Sequence, residues 1–314
     1  GSAARMPILA TKFYPPNLPA DYVPRKRLAE ILKAGKEAAL TLVSAPAGYG
    51  KSALVAEWVK KNRRPTVWLS LDVEDSDPWV FLTYLATAVG SVFPGSCPDT
   101  RALLEAPQLP PQRAVAGYLA NDLCSIGAAF DLVLDDYHWI GKEAVHDLLS
   151  AVLEHPPESV HWFILTRRDP PLPMASLRAC GQLNEVRLKD LQFTPVEAAT
   201  VISGTLGRNL EDDAFHRIFE AAEGWITGLR LAAHAFAHRG SPESLIAEMD
   251  SARYGIREYL TEQVLAAQTP ELQQRLLKIS ILDRFCAPLC QAVCETNDTD
   301  NLGEEIIERL VESG

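Results

Sequence analysis

The stretch SAPAGYGKSAL (residues 44–54) decides the fold prediction, because it follows the apolar run AALTLV (38–43) and opens a helical pattern. A strand, a glycine-containing turn and a helix in this order are typical of a phosphate-binding loop, in which backbone N–H groups surround a phosphate at the helix N-terminus. The motif GxxxxGK[ST] here begins with Ala45 instead of glycine. We expect the loop to form, since that position needs only a small residue.

Each residue type in this turn has a predicted task. Gly48 and Gly50 let the backbone N–H groups point inward, Lys51 reaches the β- and γ-phosphates, and Ser52 places its hydroxyl on Mg²⁺. We therefore predict nucleotide contacts from one continuous segment, which consists of Pro46, Ala47, Gly48, Tyr49, Gly50, Lys51, Ser52 and Ala53.

Apolar runs alternate with helical patterns through the first 190 residues or so. The runs are AALTLVSA (38–45), PTVWLSL (65–71), FDLVLDD (130–136), VHWFILT (160–166) and LNEVRL (183–188). Alternation of this kind predicts βαβ units. The fold class is therefore α/β, with a parallel sheet covered by helices on both faces.

Two carboxylates, Asp135 and Asp136, end the run at 130–136. We predict that Asp135 binds Mg²⁺ through water and that Asp136 orients or deprotonates an attacking water. The run at 65–71 lies between the phosphate loop and this acidic pair in the sequence. It indicates the additional-strand class of P-loop ATPases, with the two motifs expected on adjacent strands that are not consecutive in sequence.

The run at 160–166 is followed by Arg167 and Arg168. One interpretation is a cation at a strand tip that lies close to the γ-phosphate and reports its presence. The other is a solvated arginine pair beside a proline-rich turn. The residues alone do not decide between them.

The strand pattern stops after Leu191, and Thr194, Pro195 and Glu197 supply the cap, first position and capping box of a helix. We predict a nucleotide-binding domain over 8–190, a helical lid domain over 191–250 and the truncated start of a further domain over 251–314. Residues 1–7 are expected to be a cloning remnant.

Composition limits the partners. The 314 residues carry a net charge of −11, which repels the phosphate backbone of nucleic acids, and no apolar run has the length of a membrane span. The six cysteines contain no CxxC pair, so reduced thiols in the cytoplasm are expected. Cys286, Cys290 and Cys294 recur at helical spacing, and buried apolar cysteines are favoured there over a metal site.

With these motifs in order, the chain resembles the ATPase module of the MalT-like regulators, the large ATP-binding members of the LuxR group among the signal-transduction ATPases with numerous domains. The resemblance extends from residue 11 to the end. It rests on eight blocks, which are TKFYPP...VPRKRL, SAPAGYGKS, WLSLDVEDSDPWVFLTYL, LVLDDYHWI, LTRRDPPLPMASLRACGQLNEVR, LQFTPVEA, EGWITGLRLAA and SILDRFCAPLCQAV.

The resemblance implies roles for further residues. Val23, Pro24 and Arg25 would contact the adenine, and Arg167 would be the first sensor arginine. The block EGWITGL (223–229) would form the lid, where Trp225 either approaches the nucleotide or packs in the lid core. For His138 we expect a hydrogen-bonded structural role rather than a catalytic one.

The resemblance also implies a function and a domain order. ATP or ADP with Mg²⁺ would act as a switch, with self-association in the ATP state and slow hydrolysis as the reset, for which Lys51, Asp136 and Arg167 are the catalytic residues. The residues from 251 would begin a winged-helix domain, and DNA would be contacted only by a C-terminal domain absent from this chain. A kinase or motor with rapid turnover is the alternative, while the intact Lys51 and Asp135 argue against a scaffold with a decayed site.

Overall fold

The computed structural model describes residues 7–19, 22–230 and Ala233. The chain divides into two compact units, 1–191 (unit 1) and 192–314 (unit 2).

Unit 1 contains a five-stranded parallel sheet in the order β2-β3-β4-β1-β5. Its strands are β1 (Leu40–Ser44), β2 (Thr66–Ser70), β3 (Phe130–Asp135), β4 (Val160–Thr166) and β5 (Leu183–Arg187). Every residue of β1, β3 and β4 is buried, as expected for central strands of a parallel sheet covered on both faces. All five predicted strands and the α/β class are confirmed.

One expected feature of the sheet is wrong. The strands that carry the phosphate loop and the acidic pair, β1 and β3, are not adjacent, because β4 pairs with both of them. An additional strand does separate the two motifs, but it is β4. The run at 65–71 forms β2, which pairs with β3 on its other side. The residues that follow β4 therefore lie between the two motifs.

Helices of unit 1 cover both faces of its sheet. These helices are α1 (Lys26–Ala34), α2 (Lys51–Asn62), α3 (Pro78–Val92), α4 (Pro98–Glu105), α5 (Gln112–Cys124), α6 (Glu143–Glu154), α7 (Met174–Ala179) and α8 (Leu188–Leu191). The described part of unit 2 contains α9 (Pro195–Leu206) and α10 (Asp212–Ala222). Apolar residues of α1 and α2 form one core with Val43 and Val133. Those of α3, α5 and α6 form the other with Leu42 and Leu134. Alternate strand residues thus supply opposite cores.

The described part of unit 2 begins with α9, whose predicted start is confirmed. Thr194 is the N-cap, Pro195 occupies the first turn, and Glu197 completes the capping box. The Thr194 backbone N–H donates to Glu197 Oε2 at 3.0 Å. Gly207 ends the helix with a φ of 68°, a left-handed conformation that favours glycine.

Two further predictions concern membrane spans and the C-terminal part of the chain. Among the described residues, no helix is long and apolar enough to cross a membrane. The predicted helices beyond residue 233 and the three cysteines Cys286, Cys290 and Cys294 lie outside the described residues.

Candidate functional site

The phosphate loop joins β1 to α2 at the carboxyl edge of the sheet. Gly48 and Gly50 have φ values of 79° and 75°, and Gly50 is the N-cap of α2. These positive values are the conformations that turn successive N–H groups inward and that residues with a Cβ adopt rarely. Ala45 is buried and its φ is not positive. An alanine is therefore accommodated at the first position of the motif.

Lys51, the first residue of α2, folds back over the loop. Its Nζ donates to the carbonyl oxygens of Ala45 at 2.7 Å and of Pro46 at 2.9 Å. Burial and, to a smaller extent, the charge of Arg167 lower the pKa of Lys51 to about 8, while the charges of Asp136 and Asp135 oppose this shift. A desolvated cation at the mouth of this loop interacts strongly with an anion.

The acidic pair lies directly against the start of α2. Ser52 Oγ donates to Oδ1 of Asp135 at 2.8 Å, and the Asp136 backbone N–H donates to the same oxygen at 2.9 Å. Asp135 is buried, and this burial raises its pKa to about 7, with a smaller contribution from the charge of Asp136. A hydroxyl and a carboxylate are thus held together at the carboxyl edge.

Asp136 differs from its neighbour in exposure and backbone conformation. Its φ is 58°, a left-handed conformation that is uncommon for a residue other than glycine, and its side chain is 46% exposed. Partial burial raises the pKa of Asp136, while the charges of Arg167 and Lys51 oppose that shift. Arg167 therefore acts electrostatically on both motifs. Its backbone position explains this, since it directly follows β4, between β1 and β3.

The prediction that His138 is a hydrogen-bonded structural residue is wrong about the hydrogen bond. Its side chain is only 9% exposed, and neither ring nitrogen has a hydrogen-bond partner in the described part of the chain. Nδ1 lies 3.9 Å from Asp136 Oδ1. Burial lowers the pKa of His138 to about 3, and the charges of Arg167 and Lys51 add to this effect. The ring is therefore neutral beside Asp136, so the sequence prediction missed a polar group at the site.

The segment predicted to contact adenine lies beside α2. Tyr22 Oη donates to Glu57 Oε2 on α2 at 2.7 Å. Pro24 and Arg25 line a small cavity of about 70 Å³ with Leu54. Arg25 is buried, and its guanidinium donates to the carbonyl of Leu191 at 2.7 Å. Val23 is half-buried next to them. The segment is attached to the helix of the phosphate loop, although the Arg25 guanidinium is occupied by a backbone contact.

The block at 223–229 belongs to unit 2. Trp225 is buried there. Gly224 has a φ of 73°, and its carbonyl accepts from the Phe193 N–H at 2.9 Å. A Cβ at Gly224 would lie 2.9 Å from the Phe193 carbonyl oxygen. The glycine is thus required by local packing inside unit 2.

The carboxyl edge therefore gathers residues from three distant parts of the sequence. The phosphate loop, the acidic pair and Arg167 come together there, with Ser52 in direct contact with Asp135. Sequence analysis identified these residues but missed Ser44 and Asp169. Ser44 Oγ donates to Asp169 Oδ1 at 3.1 Å, beside the phosphate loop and the turn after β4 that consists of Arg167, Arg168 and Asp169 (the arginine turn). Their ordinary polar character gave no signal of this contact.

Comparison with known proteins identifies relatives of the chain. A family profile described as the MalT winged helix domain matches residues 261–314. The HTH-type transcriptional regulator MalT of Yersinia pestis (strain Pestoides F) is 31% identical over 294 residues, which are 93% of this chain and 32% of that protein. MalT of Yersinia enterocolitica is 31% identical over 292 residues, 92% of this chain and 32% of that protein.

Solved structures show the same fold. The Walker-type ATPase of Pyrococcus abyssi has a TM-score of 0.60 at 15% identity and covers 96% of this chain and 92% of its own. A signal-transduction ATPase with numerous domains and a tetratricopeptide repeat sensor, from Pyrococcus horikoshii, has a TM-score of 0.55 at 15% identity. The match covers 98% of this chain and 41% of that protein. The chain is MalT-like, and it spans about a third of the length of the curated relatives it matches.

Proposed function

We propose that this MalT-like chain is the ATP- and ADP-binding switch module of a multidomain transcriptional activator. The hydrogen bond between Ser52 and Asp135 carries the proposal, because it joins the phosphate loop to the acidic pair across 83 residues of sequence. Such a junction has the two halves that phosphoryl chemistry needs, an anion-binding loop and a carboxylate. The similarity to MalT supports the assignment to a transcription regulator.

The phosphate loop would bind the nucleotide phosphates. The backbone N–H groups from Ala47 to Ala53 would surround the β-phosphate, and the N-terminus of α2 would add its dipole. Pro46 has no N–H group and would contact the nucleotide through its ring. Lys51 exchanges its contacts with the Ala45 and Pro46 carbonyls for the β- and γ-phosphate oxygens. Val23, Pro24 and Arg25 hold the adenine beside α2.

Ser52 and Asp135 would hold Mg²⁺. The Ser52 hydroxyl and an Asp135 carboxylate oxygen lie 2.8 Å apart, and hydroxyl and carboxylate oxygens are ligands that Mg²⁺ prefers. The bound ion supplies neutralisation of charge on the phosphate oxygens. Asp135 must be ionised to bind it, and the nearby Lys51 favours that state.

Asp136 and Arg167 would act on the γ-phosphate. The carboxylate of Asp136, which is 46% exposed, would accept a proton from the attacking water. Arg167 places positive charge between the loop and the acidic pair, where it contacts the phosphate that ADP lacks. Hydrolysis would thus end the state that Arg167 detects.

The similarity to MalT regulators favours a nucleotide-dependent switch over a kinase or motor with rapid turnover. ADP would favour a resting monomer, and ATP would favour self-association of the full-length protein in the cytoplasm. Slow hydrolysis would reset the protein. DNA would be contacted by another domain, since this chain carries a net charge of −11.

Nucleotide retention and turnover test this proposal. One sample of the purified chain is denatured, and the released nucleotide is identified by ion exchange. ATP hydrolysis is measured on the native chain at saturating ATP and Mg²⁺. We expect retained ADP and turnover well below the roughly 1–10³ s⁻¹ typical of enzymes. Rapid turnover would support the kinase or motor alternative, and a chain that neither retains nor binds nucleotide would refute both.

A further inference from the structure

Polar side chains from three parts of unit 1 meet beside the phosphate loop. Ser44 is the last residue of β1, and Asp169 follows Arg167 by two residues. Asp169 Oδ1 accepts a hydrogen bond from Ser44 Oγ at 3.1 Å and also from the guanidinium of Arg187. Arg187 is the last residue of β5 and is in register with Ser44. Asp169 therefore joins the turn that follows β4 to the ends of β1 and β5.

The contacts continue from Arg187 to the end of unit 1. The Arg187 backbone N–H donates to Asp190 Oδ2 at 2.8 Å. The carbonyl of Asp190 accepts from Arg27, and that of Leu191 accepts from Arg25 at 2.7 Å. The short helix α8 is thus held by β5 on one side and by the arginines near the start of α1 on the other.

We propose that Asp169 and Arg187 are a positioning pair that transmits the position of the Arg167 turn to α8. The inference rests on the proposed function, because it requires Arg167 to distinguish ATP from ADP. Neither Asp169 nor Arg187 contacts the nucleotide in this account. Their effect is on the last residues of unit 1, directly before the chain continues into unit 2.

The turn transmits movement because it is internally bonded. Thr166 Oγ1 donates to the carbonyl of Arg168 at 2.6 Å, which joins the two residues that flank Arg167 to each other. A displacement of Arg167 toward a phosphate therefore displaces Asp169. The side chains of Asp169 and Arg187 are 59% and 34% exposed, and exposed ion pairs contribute little to stability. A contact this weak changes with a small movement.

Hydrogen exchange of the amides of residues 187–191 tests the pair. Exchange is measured with the chain saturated by Mg²⁺ and either ADP or a non-hydrolysable ATP analogue, for the wild type and for Asp169→Asn and Arg187→Gln. The Asp169→Asn substitution keeps an acceptor for the Ser44 hydroxyl but removes the charge. The control is Lys189→Gln, which removes a cation from an exposed position of α8.

We expect severalfold different exchange with the two nucleotides in the wild type and the control. In Asp169→Asn and Arg187→Gln this difference disappears while ADP affinity stays within about twofold, and Arg187→Lys restores part of it. A difference that persists in both variants overturns the proposal, as does a wild-type chain that binds both nucleotides with identical exchange. A chain that binds neither nucleotide overturns the proposed function, and this inference with it.

Discussion

Ser52 and Asp135 share a hydrogen bond of 2.8 Å although they lie 83 residues apart in sequence. The contact crosses a sheet in which β4 separates the two strands involved. It forms because Ser52 lies in the first turn of α2 and Asp135 is the last residue of β3, so both reach the carboxyl edge. Ligands of open α/β sheets bind at this edge.

Lys51→Ala should lower ADP affinity by roughly 10- to 100-fold or more, because a hydrogen bond to a charged group contributes about 1.5–3 kcal/mol. The substitution also removes the cation that lies over the loop carbonyls. Calorimetric titration with ADP measures the effect. Lys60→Ala, at an exposed position of the same helix, is the control and should bind normally. Undiminished ADP affinity of Lys51→Ala would refute the assignment of the loop.

Arg167→Ala should weaken ATP binding by roughly tenfold, the loss of one charge-assisted hydrogen bond, and leave ADP affinity nearly unchanged. Titrations with ADP and a non-hydrolysable ATP analogue measure the ratio. Arg168→Ala, which changes the exposed neighbouring arginine, is the control and should keep the wild-type ratio. Equal losses for both nucleotides would show that Arg167 supports the fold instead of reading the γ-phosphate.

His161 makes unit 1 sensitive to acid. The ring is buried; since a carbonyl can only accept, Nδ1 donates to the Ala38 oxygen at 2.7 Å, and Nε2 accepts from Thr41 Oγ1 at 2.9 Å. Burial lowers the pKa of His161 to about 4. His161 is protonated near pH 6.5 in the unfolded chain but only near pH 4 in the folded chain. Stability is therefore lost as pH falls from about 6.5 to about 4.

Relative to His161→Gln, the wild type should lose about 2 kcal/mol of unfolding free energy between about pH 7.5 and pH 5. Urea denaturation at the two pH values measures the difference. The exposed residue in His155→Gln is the control and should keep the wild-type pH dependence. An equal pH dependence in wild type and His161→Gln would contradict the buried neutral ring.

The chain should show no measurable affinity for promoter-like duplex DNA at physiological salt. Its net charge of −11 opposes the counterion release that favours DNA binding. Fluorescence anisotropy with a labelled duplex is the measurement. Saturable binding there would place a DNA contact in this chain and contradict the expectation that another domain supplies it.

Sequence patterns predicted the strands better than their order. The buried runs of β1, β3 and β4 are recognisable because both faces of the sheet are covered, so most of their residues are apolar. The pairing of β4 between β1 and β3 depends on crossover geometry, which a list of apolar runs does not contain. The capping box of Thr194 and Glu197 was predictable because both partners lie within one turn.

Side-chain contacts across the sheet were harder to predict. The ring nitrogens of His138 have no hydrogen-bond partner among the described residues. This could not be predicted from the sequence, because the burial of the ring and the charges near it result from tertiary packing. Arg25 donates to the Leu191 carbonyl, 166 residues away in the sequence, and no sequence pattern indicated that contact. Residue type and spacing carry no information about such distant partners.

Asp136→Asn separates nucleotide binding from hydrolysis, because it keeps the size of the side chain and removes its charge. ATP and Mg²⁺ should still bind, through Lys51, Ser52 and Asp135, while single-turnover hydrolysis falls by a general-base factor of roughly 10² to 10⁴. Glu158→Gln, an exposed acid before β4 at the opposite edge of the sheet, is the control. Normal ATP binding with this loss of hydrolysis is the predicted result. Hydrolysis at the wild-type rate in Asp136→Asn would contradict the account.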